Sequence, residues 1–243
     1  MRKKVLIIGG SGFIGKNIKL NNNNKEIFKT SRELNSSNTI YFDFSYENIF
    51  DIVKIFDTVV ILGGNSSPQK IKKSKQSNII NNKIIKFIKY SSKYSHVIFL
   101  SSSSVYKGDL NRLIASKEKT SPLNIYGKLK SKIENSIYNR KNITILRLPK
   151  VYLNKKDLRK NLREIYSKFY FQPLKMSKLS KILDVIINNK VTGIHNIGGK
   201  IRNYAEFLNK KKKYKINDNE IKFPGLLKTS DKMLKLIEKY KLV

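Results

Sequence analysis

Val5-Leu6-Ile7-Ile8-Gly9-Gly10-Ser11-Gly12-Phe13-Ile14-Gly15 is the stretch that decides how the rest of the chain is read. Four apolar residues without polar alternation fit a strand buried on both faces, as in a parallel sheet. Glycines then recur every third position, at 9, 12 and 15. The first allows a tight turn out of the strand, the second lets a backbone approach a pyrophosphate, and the third lets a helix pack close to the sheet. Free N–H groups at the helix start would receive the phosphates, with Phe13 and Ile14 carried on that first turn. Glycine turns after strands are common, so the pattern is informative only in context. Here it follows an apolar strand and opens a helix, as a dinucleotide-binding turn requires.

Upstream, Met1-Arg2-Lys3-Lys4 before an apolar run invites comparison with a secretory signal. The glycines interrupt the apolar stretch and no small-residue cleavage site follows, so the run reads as the first strand of a fold. Downstream, strand candidates at 26–30, 39–42, 57–62, 97–100 and 143–148 alternate with helix candidates at 13–20, 46–54, 74–94 and 124–139. That alternation predicts an α/β fold: a doubly wound parallel sheet of the Rossmann type. After Pro149 it weakens, leaving a helix at 178–188, a strand at 194–197 and a terminal helix at 230–240. We expect a nucleotide-binding domain over 1–153 and a small substrate-binding region over 154–243, with about 178–199 returning to the sheet.

The 243 residues hold 51 Lys and Arg against 17 Asp and Glu, a net charge of +34. Such a charge usually suggests nucleic acid or an anionic membrane. Here the lysines are spread along the whole chain with excess Asn and Ile, which reads as coding bias and a solvated basic surface. No helix-turn-helix or RNA-binding sheet stands out, so no nucleic-acid partner is expected. No run is long enough to span a membrane. Without cysteine, and with only His96 and His195, no metal site is expected. A cytoplasmic location is the expectation that remains. The charge should still steer anionic ligands inward.

The end of the second strand chooses between cofactors. An acid there would hold the adenosine ribose, whereas an arginine would accept a 2′-phosphate. Thr30-Ser31-Arg32 has no acid until Glu33, so Arg32, helped by Ser31, favours NADP over NAD. The alternative is that Arg32 covers the adenine face. Asp43 lies where an adenine amino group could be bound, or is an ordinary capping residue.

Tyr126 and Lys130 are four apart on a predicted helix and share a face. A tyrosine hydroxyl titrates near 10. A neighbouring ammonium and a positive nicotinamide ring both favour the phenolate, which can then trade a proton while hydride moves. Tyr152 and Lys156 show the same spacing. Context separates the pairs: Tyr126 opens the helix after the fifth strand, 24 residues beyond Ser102 in the run Ser101–Ser104. Ligands of doubly wound sheets bind at the carboxyl ends of strands, so Ser102 and that helix start can converge. Ser102 is then the hydroxyl for the substrate oxygen.

Together, the glycine turn, Val59-Val60-Ile61-Leu62-Gly63-Gly64, Phe99-Leu100-Ser101-Ser102-Ser103-Ser104-Val105-Tyr106, Tyr126-Gly127-Lys128-Leu129-Lys130 with Glu134, Leu146-Arg147-Leu148-Pro149-Lys150-Val151-Tyr152 and Gly193-Ile194-His195-Asn196-Ile197-Gly198-Gly199 resemble the extended short-chain dehydrogenase/reductases. The resemblance covers about residues 1–200. It implies that Tyr126 is the acid/base, Lys130 its modulator and ribose ligand, and Ser102 the substrate-orienting hydroxyl. It adds Gly63 and Pro149 to the cofactor-binding set, and it points to Asn78 as a supporting residue, against a surface Asn in an Asn-rich chain. The implied activity is an NAD(P)-dependent epimerase or 4-keto reductase acting on a nucleotide sugar, with a non-catalytic NADP-binding scaffold as the alternative. Family dehydratases carry an acidic pair after the catalytic hydroxyl; Ser103 and Ser104 stand there, so 4,6-dehydration is not implied. The short, basic segment 155–173 implies a small or open substrate pocket. Family members often dimerise through the helices flanking the site, which leaves a homodimer open.

Overall fold

The computed structural model describes residues 1–32, 37–44, 50–62, 76–108, 112–159, 164–166, 170–208, 215–217 and 226–242. The apolar run at the start forms β1 (Lys3–Ile8). Its alternate residues feed two cores: Val5 and Ile7 enter one, Leu6 and Ile8 the other. A strand covered on both faces has no solvent side to be polar, which is why the pattern lacks alternation.

Five further strands join it: β2 (Lys25–Ser31), β3 (Thr39–Tyr41), β4 (Thr58–Ile61), β5 (His96–Ser102) and β6 (Ile143–Leu148). With β11 (Gly193–Asn196), numbered after four short strands, they make a seven-stranded sheet in the order β11-β6-β5-β4-β1-β2-β3. Every pairing in it is parallel. The order reverses between β1 and β4, and a crevice opens there at the carboxyl ends of the strands.

Helices cover both faces. α1 (Phe13–Asn17), α5 (Met176–Asn189) and α7 (Asp231–Lys239) lie on one side, where Leu179, Ile182, Leu183 and Met233 pack against Val60, Ile98 and Leu146. α2 (Gln76–Ser91) and α3 (Ile125–Ile137) lie on the other, contributing Ile84, Phe87, Ile88, Ile133 and Ile137. Between them in the chain run the short α4 (Lys155–Arg159) and α6 (Tyr204–Leu208).

Two sequence expectations shorten. The first helix ends at Asn17 rather than near 20, because Ile18 turns extended (φ −72°, ψ 130°) to bury its side chain. Of the helix expected over 46–54, residues 46–49 lie outside the described ones, and the rest is a turn leading into a 3-10 helix at Ile52–Ile55.

After β6 the chain makes short strands β7 (Val151–Tyr152), β8 (Glu164–Tyr166), β9 (Tyr170–Phe171) and β10 (Leu174–Lys175). β10 pairs with β7 in parallel. A small separate core of Leu158, Phe171 and Tyr204 forms there, with Tyr152 and Phe207 against it. The bridge between Ile114 and Leu227 crosses from the loop after β5 to the segment before α7.

Candidate active site

The glycine turn leaves β1 with Gly9 at φ +90°, a conformation that disfavours side chains. The Gly9 N–H donates to Thr30 Oγ1 (3.0 Å), and the Gly12 N–H to the Gly9 carbonyl (3.1 Å). A Cβ on Gly15 would collide with the Gly9 carbonyl, so that glycine lets α1 sit against the turn. A Cβ on Gly12 would meet only the Gly9 carbonyl, at 3.3 Å, so its outer side stays open. Gly10, given no role from sequence, is pressed on β2: its Cβ would lie 2.7 Å from Lys29 Cβ.

Above this turn lies a cleft of about 790 Å³. Gly9, Gly12, Phe13, Ile14 and Gly15 line its floor, Ser31, Arg32 and Asp43 one end, and Ser102, Tyr126, Lys130 and Pro149 the other. Arg32 is exposed at the end of β2, while Ser31 and Asp43 are half-buried. Gly63 lies outside the described residues, although Leu62 before it lines the cleft. The rival pair is elsewhere: Tyr152 stacks edge-on to Phe207 (5.8 Å between centroids) and Lys156 is exposed.

β5 and α3 bring the three candidate groups together. Ser102 ends β5 and caps the 3-10 turn Ser103–Val105, its Oγ accepting from the Ser104 N–H (3.1 Å). α3 starts where the Asn124 side chain accepts from the Gly127 N–H (2.8 Å). Gly127 lets that first turn touch the serine run, since a Cβ there would overlap the Ser104 carbonyl oxygen. Tyr126 thereby lines the same cleft as Ser102, close enough for the serine hydroxyl to act on the phenol. Lys130, one turn on, is buried; its Nζ donates to the Leu100 carbonyl (2.9 Å) and lies 4.6 Å from the Phe99 ring centroid.

The electrostatics differ from what the helical spacing suggests. Burial raises the Tyr126 hydroxyl above its ordinary value, and the neighbouring Ser102 hydroxyl only opposes this. Lys130 Nζ sits 5.9 Å from the Tyr126 ring centroid and donates to a carbonyl, so burial rather than the ammonium sets the direction for Tyr126. Lys130 itself is pushed down to about 8, by burial first, with Glu134 opposing.

Three supporting features had little or no sequence signal. Asn78 is exposed, whereas Asn81 is buried and donates to the Leu129 carbonyl (3.0 Å), tying α2 to α3 beside Lys130. The second feature is the buried pair of Glu134 and Arg147, in which Arg147 Nη2 lies 2.7 Å from Glu134 Oε2. One arginine in the otherwise apolar strand Ile143–Leu148 was the available clue, because a buried charge needs a partner. The third is Tyr106, whose hydroxyl accepts from Arg147 Nη1 and donates to the Ala115 carbonyl (3.1 Å). Among the described residues, no group of three or more His, Cys, Asp or Glu side chains is gathered to hold a metal, and no helix is long and apolar enough to cross a membrane.

Comparison with known proteins agrees with this architecture. A family model described as the RmlD substrate binding domain matches residues 3–170, more than half of the chain. No curated protein matches the sequence. Among solved structures, UDP-N-acetylglucosamine 4-epimerase from Bacillus cereus is 21% identical with a TM-score of 0.78, covering 96% of this chain and 92% of its own. A dTDP-4-dehydrorhamnose reductase from Bacillus anthracis, in complex with NADP, is 17% identical with a TM-score of 0.76, covering 97% and 92%. A dTDP-glucose 4,6-dehydratase from the same organism, in complex with NAD, is 13% identical with a TM-score of 0.75, covering 97% and 90%. At these identities the likeness is one of fold.

Proposed function

We propose, from the premise that the chain belongs to the RmlD substrate binding domain family within the extended short-chain dehydrogenase/reductases, that it is an NAD(P)-dependent reductase or epimerase of nucleotide sugars. The observation that carries this reading is the meeting of Tyr126, Ser102 and Lys130 at one end of a cleft floored by the glycine turn. The turn suits a dinucleotide: Gly12 leaves room for a close backbone approach, and Gly15 holds α1 against the turn. Arg32, exposed at the far end, suits a 2′-phosphate and so favours NADP. The bound nicotinamide would supply or accept the hydride.

The chain's own residues do the rest. Tyr126 passes its proton to the oxygen of a keto sugar during reduction, or takes one from a hydroxyl during oxidation. Ser102 orients that oxygen and steadies the neighbouring Tyr126 phenolate, whose ionisation it favours. Lys130 keeps a positive charge behind the tyrosine, and it lines the cleft where it would be the residue to hold the cofactor ribose. A carboxyl group is needed to assist 4,6-dehydration, and Ser103 and Ser104 offer none, which favours the reduction or epimerisation of a 4-position. The region after 153 serves as the substrate-binding part, and the general positive charge draws the anionic diphosphate in.

The test incubates the protein with NADPH or NADH and a panel of 4-keto and 4-hydroxy nucleotide sugars. Nicotinamide absorbance and sugar stereochemistry are followed together. Tyr126→Phe abolishes turnover and keeps cofactor binding; full turnover by that variant overturns the mechanism.

A further inference from the structure

Lys130 is a cation inside the protein with a carbonyl and an aromatic ring for neighbours. Its ammonium donates to the Leu100 carbonyl and lies over Phe99. Neither group neutralises a charge. Around it, α3 contributes Tyr126 and Glu134, β5 the Phe99 ring and the Leu100 carbonyl but no charge, and α2 the uncharged Asn81 beside Leu129. Glu134 is one turn along the same helical face and is 1% exposed.

That carboxylate is held from a different element. Arg147 on β6 approaches it with Nε at 3.2 Å from Oε1 and 3.0 Å from Oε2, and with Nη2 at 2.7 Å from Oε2. Arg147 is in turn fixed by the Ser116 carbonyl (2.8 Å) and the Tyr106 hydroxyl. Tyr106 and Asn196 continue the chain of contacts to the Ile114 carbonyl. The carboxylate is thus anchored to the sheet and to the loop after β5, not merely to its own helix. A planar guanidinium gripping a buried carboxylate through several N–H groups leaves that carboxylate little freedom.

We infer that Glu134 and Arg147 are a positioning pair for the proposed reaction, in which Glu134 supplies counter-charge to the Lys130 ammonium and Arg147 both fixes that carboxylate and limits how much of its charge serves the lysine. In calling Lys130 part of the reacting machinery, this inference rests on the reading above. Without the Glu134 charge, Lys130 and Arg147 become two buried cations with no anion between them. Without Arg147, Glu134 is free to serve Lys130 alone. The two deletions therefore push the lysine in opposite directions, and the pH dependence of cofactor affinity moves with them only if the lysine serves the cofactor.

The test titrates protein labelled with ε-¹³C-lysine by NMR, with the Lys130 signal assigned through Lys130→Arg. The wild-type midpoint is expected near 8. In Glu134→Gln it falls by about one pH unit or more, in Arg147→Gln it rises, and in the double variant it returns between the two. Either single variant suffices if the other does not fold, and a midpoint equal to that of the wild type in the folded one overturns the inference. NADPH binding is measured in parallel by fluorescence. The pH above which affinity falls should follow the same order, and an affinity indifferent to these changes overturns the positioning role. Shifted titrations in a protein that binds no NADPH at any pH instead refute the cofactor reading and leave the charge pair standing.

Discussion

Replacing Gly127 by alanine puts one methyl group where there is no space. The added Cβ overlaps the Ser104 carbonyl oxygen and lies 2.8 Å from the Ser104 carbonyl carbon and 2.9 Å from Pro122 Cβ. Ordinary contact begins at 3.4 Å, so either the first turn of α3 or the serine run must withdraw, by on the order of 1 Å. Helix propensity works the other way, favouring alanine by about 1 kcal/mol. Overpacking of this kind costs about 1–3 kcal/mol, so the net loss is at most about 2 kcal/mol. At roughly 2–4 °C per kcal/mol for a chain of this size, Tm falls by up to roughly 8 °C. The larger effect is on the site, because Tyr126 precedes Gly127 and Ser102 leads into the turn that it meets. Displacing two reacting groups by about 1 Å can lower turnover on the order of 100-fold. The assay combines nicotinamide absorbance, thermal denaturation and NADPH fluorescence, with cofactor affinity expected within about threefold of wild type because the glycine turn is untouched. Wild-type turnover together with a wild-type Tm in Gly127→Ala would refute the packing of α3 on the serine run.

Two further outcomes follow from the same geometry. Arg32→Ala should weaken NADPH about tenfold or more and leave NADH within about twofold, as expected for loss of a charge-assisted contact to a 2′-phosphate; equal losses for both would make Arg32 a cover for the adenine. Lys130→Met should be the more stable protein at pH 7 while losing activity. The folded lysine releases its proton near 8 and the unfolded one near 10.5, so at pH 7 folding carries a buried charge that costs about 3 kcal/mol, less whatever the Leu100 bond returns. Since the unfolded state binds more protons between pH 8 and 10.5, the wild type should catch up over that window. Thermal melts of both proteins from pH 7 to 10 check the sign, and a gap that does not narrow over that range contradicts it.

Much of the fold was readable from local patterns. The uninterrupted run at Val5–Ile8, the glycines behind it and the strand–helix alternation to Leu148 all express short-range rules, and a parallel sheet leaves few topologies to choose from. Tyr126 and Lys130 were readable because the four-residue helical spacing is local, and Tyr152 with Lys156 could be set aside by position along the sheet. Where the reading slipped, a long-range contact decided. Helical periodicity continued past Asn17, yet the tertiary need to bury Ile18 ended α1 early. Asn78, set by the resemblance against the plainer reading of a surface Asn, is exposed as the plainer reading has it, and it is Asn81 that faces α3 and makes the bond.

What the sequence determined alone was therefore the sheet, its glycine turn and the choice of the phenol, amine and hydroxyl proposed to react. Only the tertiary structure decided their ionisation. Helical spacing predicts a tyrosine made more acidic by a neighbouring ammonium; packing instead raises Tyr126, lowers Lys130 and turns its ammonium to a carbonyl. Desolvation depends on everything that surrounds a group, and residues from β5 and β6, distant in sequence, exclude water from this one. Arg147 reaches Glu134 across 13 positions of sequence for the same reason: a charge on a buried strand must find its counter-charge wherever the fold places one.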